Sequence, residues 1–354
     1  SSVDDYTLGL AAEALGELSQ YGGNLTADFV EFETRRAIEW LLAVSQDNDA
    51  QLRLGKLNLP NFSSASSEES VRRRKLAAVM VIRELANNSP VLFFAHVSEV
   101  FDLLQTALLD AHVFTRETAT QALRGCLQLV LNRESRLRVQ WYYRVHTIAR
   151  TGFQLAKPAT IHGGLLTIGE LLLNTGNFML PRFPEACDAI LRYKTHKALL
   201  VRRTVIALLP ELAQFSPEAF VREYLGDSIA HLFDAAGRSA ECDASFIALG
   251  RLAVAVSHHI IPYLPEIVIR VREALVQEVI NTDALPRHTS SDTQTCRALF
   301  QCLSMLAQAV GPSLLQHRMT DGLLSEMFSN GLSESLIVAV TELRRHIPTM
   351  SELV

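Results

Sequence analysis

An all-α solenoid of stacked helix pairs is the fold this sequence predicts, and three observations carry the prediction. A short pattern, a helix ending in Leu plus a small or polar residue before a breaker, recurs eight times in 354 residues. Most intervals between copies lie near 40 residues, the period of two-helix repeats. The composition, 48 % hydrophobic but only 7 % aromatic with 12 prolines and 17 glycines, suits helices better than short strands and tight turns.

The copies are LGELSQYGG, VIRELANNSP, LRGCLQLVLN, IGELLLNTG, LPELAQFSP, LGRLAVAVS, LSMLAQAVGP and VTELRRHIP, anchored on Leu18, Leu85, Leu127, Leu171, Leu212, Leu252, Leu306 and Leu343. Successive anchors are 67, 42, 44, 41, 40, 54 and 37 residues apart. The two long gaps hold polar insertions, Ser45–Ser70 and Asn281–Asp292, and removing them restores the period. Repeats of this length built only of helices are of HEAT/armadillo type.

In chain order, a single helix over Tyr6–Gln20 leads, and seven helix pairs follow, about fifteen helices in one solenoid over residues 1–354 with a right-handed superhelical turn. After Pro90, Val97, Val100, Phe101, Leu104 and Leu108 fall on one helical face; Ala119, Ala122, Leu123, Cys126, Leu127 and Val130 do so in the next helix. Between them LLDAHVFTRE sets Asp110 in the turn and Arg116 six residues on, a spacing like the pair that ties neighbouring HEAT repeats. VRRTV offers Arg202 and Arg203 without an acid in the preceding turn. Neither end shows a polar capping repeat, which predicts a piece of a longer solenoid or one that runs on into another domain.

Charge and cysteine usage narrow the function. With 33 Lys+Arg against 38 Asp+Glu, the net charge of −5 offers no basic field for phosphates, so nucleic acid is not expected as a partner. The five cysteines, Cys126, Cys187, Cys242, Cys296 and Cys302, show no C-x-x-C spacing and read as reduced thiols of a cytosolic or nuclear protein. Charge interrupts the apolar stretches, as Arg251 interrupts Ala244–Val256, so no direct membrane insertion is expected. No signal peptide is visible in SSVDDYTLGL.

Catalytic signatures are missing. There is no Walker or dinucleotide glycine loop, no H-E-x-x-H, EF-hand, G-x-S-x-G or kinase H-R-D/D-F-G set, so no catalytic, cofactor or metal site is expected. His258–His259 diverge by about 100° if helical and cannot share a ligand face. Cys296 and Cys302 read as core, and Asp4–Asp5 and Glu68–Glu69 as solvated charge. The basic run Arg72, Arg73, Arg74 and Lys75 has two readings: a docking patch for an acidic partner or for a phosphorylated Ser63–Ser70 loop, or arginines on a solvent face.

Longer stretches carry a resemblance. FVEFETRRAIEWLL (Phe29–Leu42), KLAAVMVIRELANNSPVLFFAHVSEVFD (Lys75–Asp102), TRETATQALRGCL (Thr115–Leu127), QWYYR (Gln140–Arg144) and IHGGLLTIGELL (Ile161–Leu172) come first. LLPELAQFSPEAF (Leu208–Phe220), FIALGRLAVAV (Phe246–Val256), YLPEIVIRVREAL (Tyr263–Leu275) and SMLAQAVGP (Ser304–Pro312) follow. In this order they resemble the N-terminal HEAT region of the target-of-rapamycin (TOR) kinases, of a fungal or other lower-eukaryote form, departing from it around Phe178–Pro184 and at the two insertions. The resemblance implies an ATP-dependent serine/threonine kinase as the intact protein, with its catalytic parts far C-terminal to this segment and no activity here. It implies a cytoplasmic scaffold in growth signalling, recruited through partners to the vacuolar or lysosomal surface. The implied partners are a Raptor-type or Rictor-type subunit, a TOR dimer partner, and a small GTPase or assembly chaperone. A stand-alone HEAT adaptor of transport-receptor or phosphatase-scaffold type is the alternative; its rows of concave acidic or Trp/Asn positions are not seen, and only Trp40 and Trp141 occur.

Overall fold

The computed structural model describes residues 2–21, 23–56, 65–133, 135–283, 294–311 and 322–347. Every regular element among them is helical, and they fall into two compact units, Ser1–Arg182 and Phe183–Val354.

In the first unit a lone helix α1 (Ser2–Tyr21) is followed by three pairs. These are α2 (Thr26–Lys56) with α3 (Ala65–Asn88); a broken first helix, α4 (Pro90–Phe93), α5 (Val97–Leu103) and α6 (Gln105–Leu108), with α7 (Val113–Leu131); and α8 (Arg138–Gln154) with α9 (Pro158–Asn174). The second helices form the stack: α3 packs on α1 and on α7, and α7 on α9. Prolines set several starts. Pro90 and Pro158 occupy first-turn positions, where the missing N–H is not needed.

The second unit holds four pairs: α10 (Phe183–Leu191) with α11 (Leu199–Phe215), α12 and α13 (Pro217–Glu223, Leu225–Ala236) with α14 (Cys242–Val256), α15 (Leu264–Asp283) with α16 (Gln294–Val310), and α17 (Leu324–Ser329) with α18 (Glu334–His346). Here α11, α14, α16 and α18 stack in order. A leading helix and seven pairs are therefore found among the described residues.

The repeat register holds at seven of the eight anchors: Leu85, Leu127, Leu171, Leu212, Leu252, Leu306 and Leu343 are fully buried. Leu18 is the exception, 57 % exposed. α1 turns Ala12, Gly16 and Ser19 to the core instead, and these small residues let it approach α3 closely: a Cβ on Gly16 would lie 2.4 Å from Asn88 Nδ2. Ser89 Oγ donates to the Ser19 carbonyl at 2.9 Å across that contact.

The polar insertions are shorter than the sequence suggests. α2 continues to Lys56 and α3 begins at Ala65, so much of Ser45–Ser70 is helix; its residues have no proline before Pro60 and are compatible with a solvated helix. α15 likewise reaches Asp283. Residues 57–64 and 284–293, including Ser63 and Ser64 of the suggested phosphorylated loop, lie outside the described residues.

The stretch Cys242–Ile280 is long and apolar enough to cross a membrane by length and composition. It is divided, however, by a 3₁₀ segment, Ser257–Tyr263, with Ser257 at φ 52° and a proline at 262. Its helices bury one apolar face each within the repeats, including Leu249, Leu252, Val268, Val271 and Leu275.

Candidate interaction surface

The basic run at the start of α3 does not form a continuous surface. Arg72 is buried and its Nη2 donates to Asp5 Oδ1 at 2.9 Å and to Glu69 Oε1 at 2.8 Å. Arg73 also donates to Glu69 Oε1, at 3.0 Å, and the two arginines' hydrogen bonds hold the Glu69 carboxyl down to about 2. Lys75 is buried and its Nζ meets Asp110 Oδ2 at 2.5 Å. At residues three apart on one helix, Arg72 and Lys75 share the face turned toward the neighbouring repeats. Only Arg73 and Arg74 of the four are exposed.

The pair Asp110 and Arg116 is brought together, though not as a direct ion pair. Arg116, 2 % exposed, sends Nη1 to the carbonyls of Asp110 (2.6 Å) and Ala111 (2.9 Å), closing the turn before α7. Its Nε donates to His162 Nδ1 in α9 at 3.0 Å. The Asp110 carboxylate accepts from Lys75 of α3 and from the His112 backbone N–H at 2.8 Å. A buried polar relay thus runs from α3 through the turn and α7 to α9, tying three successive second helices. Burial alone would push the Asp110 carboxyl up, but the Lys75 charge and hydrogen bond and the His112 contacts outweigh it and hold it low. Burial, with the Arg116 charge, pushes His162 down to about 4, which matches an imidazole whose Nδ1 accepts.

The same device recurs in the second unit, where the sequence offered no acid in the turn. Arg202 Nη1 donates to the carbonyls of His196 (2.8 Å) and Lys197 (3.0 Å), six and five residues back as in Arg116. Its Nε meets Glu241 Oε1 at 2.5 Å, just before α14. The arginine needs carbonyls in its own turn and an acceptor in the next repeat. An aspartate in the turn is therefore not a requirement, and this is why the spacing rule recognised only one copy.

A second row escaped the sequence reading, although the signal was present as Glu before the anchor leucine. Arg83, beside Glu84 at 2.6 Å, donates to Gln121 Oε1 of α7 at 2.9 Å. Arg124 of α7 grips Glu170 of α9 at 2.6 Å, and Arg251 of α14 pairs with Glu211 of α11. Glu342 holds the same position in α18 and pairs with Arg345 at 2.9 Å. These charges lie on α3, α7, α9, α11, α14 and α18, all second helices; α16 has Met305 at the position before its anchor.

Two open grooves accompany the rows. One, about 760 Å³, lies between α14, α16 and α18 and is lined by Ile247, Arg251, Met305, Val338 and Glu342 among others. The other, about 640 Å³, lies in the first unit between α8 and the turn over residues 175–182. Neither gathers a nucleophile with a base. Among the described residues no group of three or more His, Cys, Asp or Glu could hold a metal. His258 and His259 sit in the 3₁₀ segment with their ring centroids 3.9 Å apart; His259 Nδ1 lies 3.1 Å from the Val256 carbonyl. The Cys126 and Cys302 thiols are buried and pushed up to about 12 by that burial, which leaves them unreactive.

Comparison with known proteins gives the context for this surface. No family model matches the chain. It is 35 % identical over 341 residues, 96 % of its length, to the serine/threonine-protein kinase TOR of rice (Oryza sativa subsp. japonica). It is 33 % identical over 349 residues to the serine/threonine-protein kinase tor1 of Schizosaccharomyces pombe, with 99 % of the chain matched. The chain spans 12–13 % of the length of these relatives. Plant and fungal relatives stand at similar identity, so they give no preference for a fungal form. Among solved structures, Kap121p superimposes with a TM-score of 0.61 at 13 % identity, covering 99 % of this chain and 34 % of that one. Such a likeness shows the HEAT-type α-solenoid fold alone. Along nearly its whole length, the chain is homologous to a segment of the TOR kinases.

Proposed function

We propose that this chain is the N-terminal scaffold segment of a TOR-type serine/threonine kinase, and that it docks a Raptor-type or Rictor-type subunit and takes no part in phosphoryl transfer. The observation that carries the reading is the end-to-end match to a small fraction of those kinases, made by a segment whose buried charges tie repeats together. Catalysis gains from titratable groups converging on an enclosed pocket, whereas these grooves are open. Stacked helical ridges instead offer the long, shallow surface that standard-sized protein interfaces need. On this reading a second TOR copy, a small GTPase and assembly chaperones are further partners, and the segment works in the cytoplasm and reaches the vacuolar or lysosomal surface through them.

The test is a pull-down of the purified chain against Raptor-type and Rictor-type subunits, with a kinase assay on the same sample. Binding without phosphoryl transfer is expected. Phosphoryl transfer by the chain alone would overturn the reading, as would a well-folded sample that binds neither subunit while the full-length kinase binds both.

The alternative, a stand-alone adaptor of transport-receptor or phosphatase-scaffold type, expects a linear peptide or a small GTPase, and not the two subunits, to be retained.

A further inference from the structure

The connection from α7 to α8 and the turn after α9 bring together an unusual set of side chains. The Phe178 ring lies 5.4 Å from Tyr142 and 5.2 Å from Tyr143, with His146 at 6.4 Å. Arg182 covers the cluster, its guanidinium 4.1 Å from the Phe178 centroid and 4.6 Å from that of Tyr143. Tyr142, Tyr143, Phe178 and Arg182 line the 640 Å³ groove together with Leu131, Arg138, Val139 and Pro181. The lining includes no carboxylate.

In the first unit Arg72, Arg83, Arg124 and Arg144 pair with carboxylates. Arg182 donates to the Phe178 carbonyl and the Tyr143 hydroxyl, both neutral, at 2.5 Å each. Arg138, and Arg136 just before α8, have no carboxylate partner among the described residues. Tyr142 adds a further unbalanced group: it is 2 % exposed, and its buried hydroxyl has no hydrogen-bond partner. A buried phenol left unpaired costs about 1–3 kcal/mol unless something supplies the partner. Half-exposed Tyr143 and exposed Val139 and Leu131 form the apolar wall.

We propose that this groove is a docking site for an acidic linear segment of a partner protein, one that places an aromatic anchor against Val139, Tyr143 and Phe178 and carboxylates on Arg138 and Arg182. The occupant follows from charge complementarity: guanidinium groups with no carboxylate partner among the described residues, around an apolar floor, reward a ligand carrying both negative charge and a ring. The Tyr142 hydroxyl is the donor available to the seated chain's backbone carbonyl. The site rests on the scaffold character proposed above but not on either named subunit, so it stands or falls separately from the pull-down.

The probe is a fluorescein-labelled peptide of alternating Glu and Gly around one Phe, read by anisotropy on the whole chain at low salt. Its counterparts carry Gln for Glu, or Ala for Phe. The acidic Phe peptide should bind, and weaken with salt, while both counterparts weaken by on the order of tenfold. R138E should cause a similar loss, and Arg182→Gln a smaller one. R74E, at an exposed arginine of α3 outside the groove, should leave binding unchanged. Far-UV circular dichroism confirms the fold of each variant, and Tyr142→Phe, which removes only the hydroxyl, should weaken binding several-fold without loss of stability. Equal affinity for the Gln peptide, indifference to R138E, or full displacement by inorganic tripolyphosphate with no effect of the Phe would each overturn the proposal. The last of these would leave only a bare anion site.

Discussion

Gly163 is the position where a single methyl group tests the packing of the first unit most sharply. It lies in α9 against the end of α6, and a Cβ there would be 2.0 Å from the Leu108 carbonyl oxygen, 3.0 Å from its carbon and 3.2 Å from Leu109 Cδ2. An ordinary carbon–oxygen approach is about 3.3 Å, so α9 and α6 would have to separate by roughly 1.3 Å. The obstructing atom is backbone and cannot rotate away. Overpacking of this kind costs about 1–3 kcal/mol or more, against a gain of about 1 kcal/mol from the better helix propensity of Ala. Gly163→Ala should therefore lose roughly 2 kcal/mol net. Gly9→Ala is the control: it is in α1, a Cβ there meets nothing within 4 Å, and the change should gain about 0.5–1 kcal/mol. Urea unfolding followed by circular dichroism measures both, and amide exchange in α9 shows where the loss is felt. If Gly163→Ala is as stable as the parent, or if both changes shift stability in the same direction, the close approach of α6 and α9 is wrong.

Arg116→Met should cost about 3–5 kcal/mol, because it leaves two turn carbonyls and His162 Nδ1 without a donor; Arg202→Met should do the same in the second unit, and amide exchange would report each loss in its own repeats. His162 is neutral in the fold down to about 4 and titrates near 6.5 when unfolded, so between these values the unfolded chain binds the extra proton. Stability should fall as pH drops from about 6.5 to about 4, and His162→Gln should flatten that slope in urea titrations at a series of pH values; an unchanged slope would remove His162 from the relay. Leu212→Ala should cost about 2–5 kcal/mol as a buried cavity, and a near-zero loss on thermal unfolding would mean that the repeat register is misplaced.

The anchor leucines show what the sequence makes legible. A leucine followed by a small or polar residue and then a breaker is a local arrangement, and burial follows where that leucine falls on the helix face packed within its unit. Leu18 falls outside the face that α1 packs on α3, which small residues occupy instead. The lengths of the insertions were not legible, since a sequence such as Gln46–Lys56, rich in polar residues, is equally compatible with a loop and with the extension of a helix. At the candidate surface, composition identified a basic run but not the inward turn of Arg72 and Lys75, which depends on where Asp5 and Asp110 lie in other helices. Arg202 was legible only as a partial copy without an acid, because its partner Glu241 is 39 residues away in sequence. The groove beside α8 likewise depends on residues 175–182 folding back onto α8, which no spacing rule records.

On the reading proposed above, this segment works as an extended docking surface and not through a catalytic pocket. Hydrogen exchange of the whole chain, with and without a purified Raptor-type subunit and again with ATP and magnesium, separates the two. Binding of the subunit should give protection that spreads over ridges of several successive repeats, with no change on adding nucleotide. Protection by ATP, or protection by the subunit confined to a single repeat, would refute the docking role.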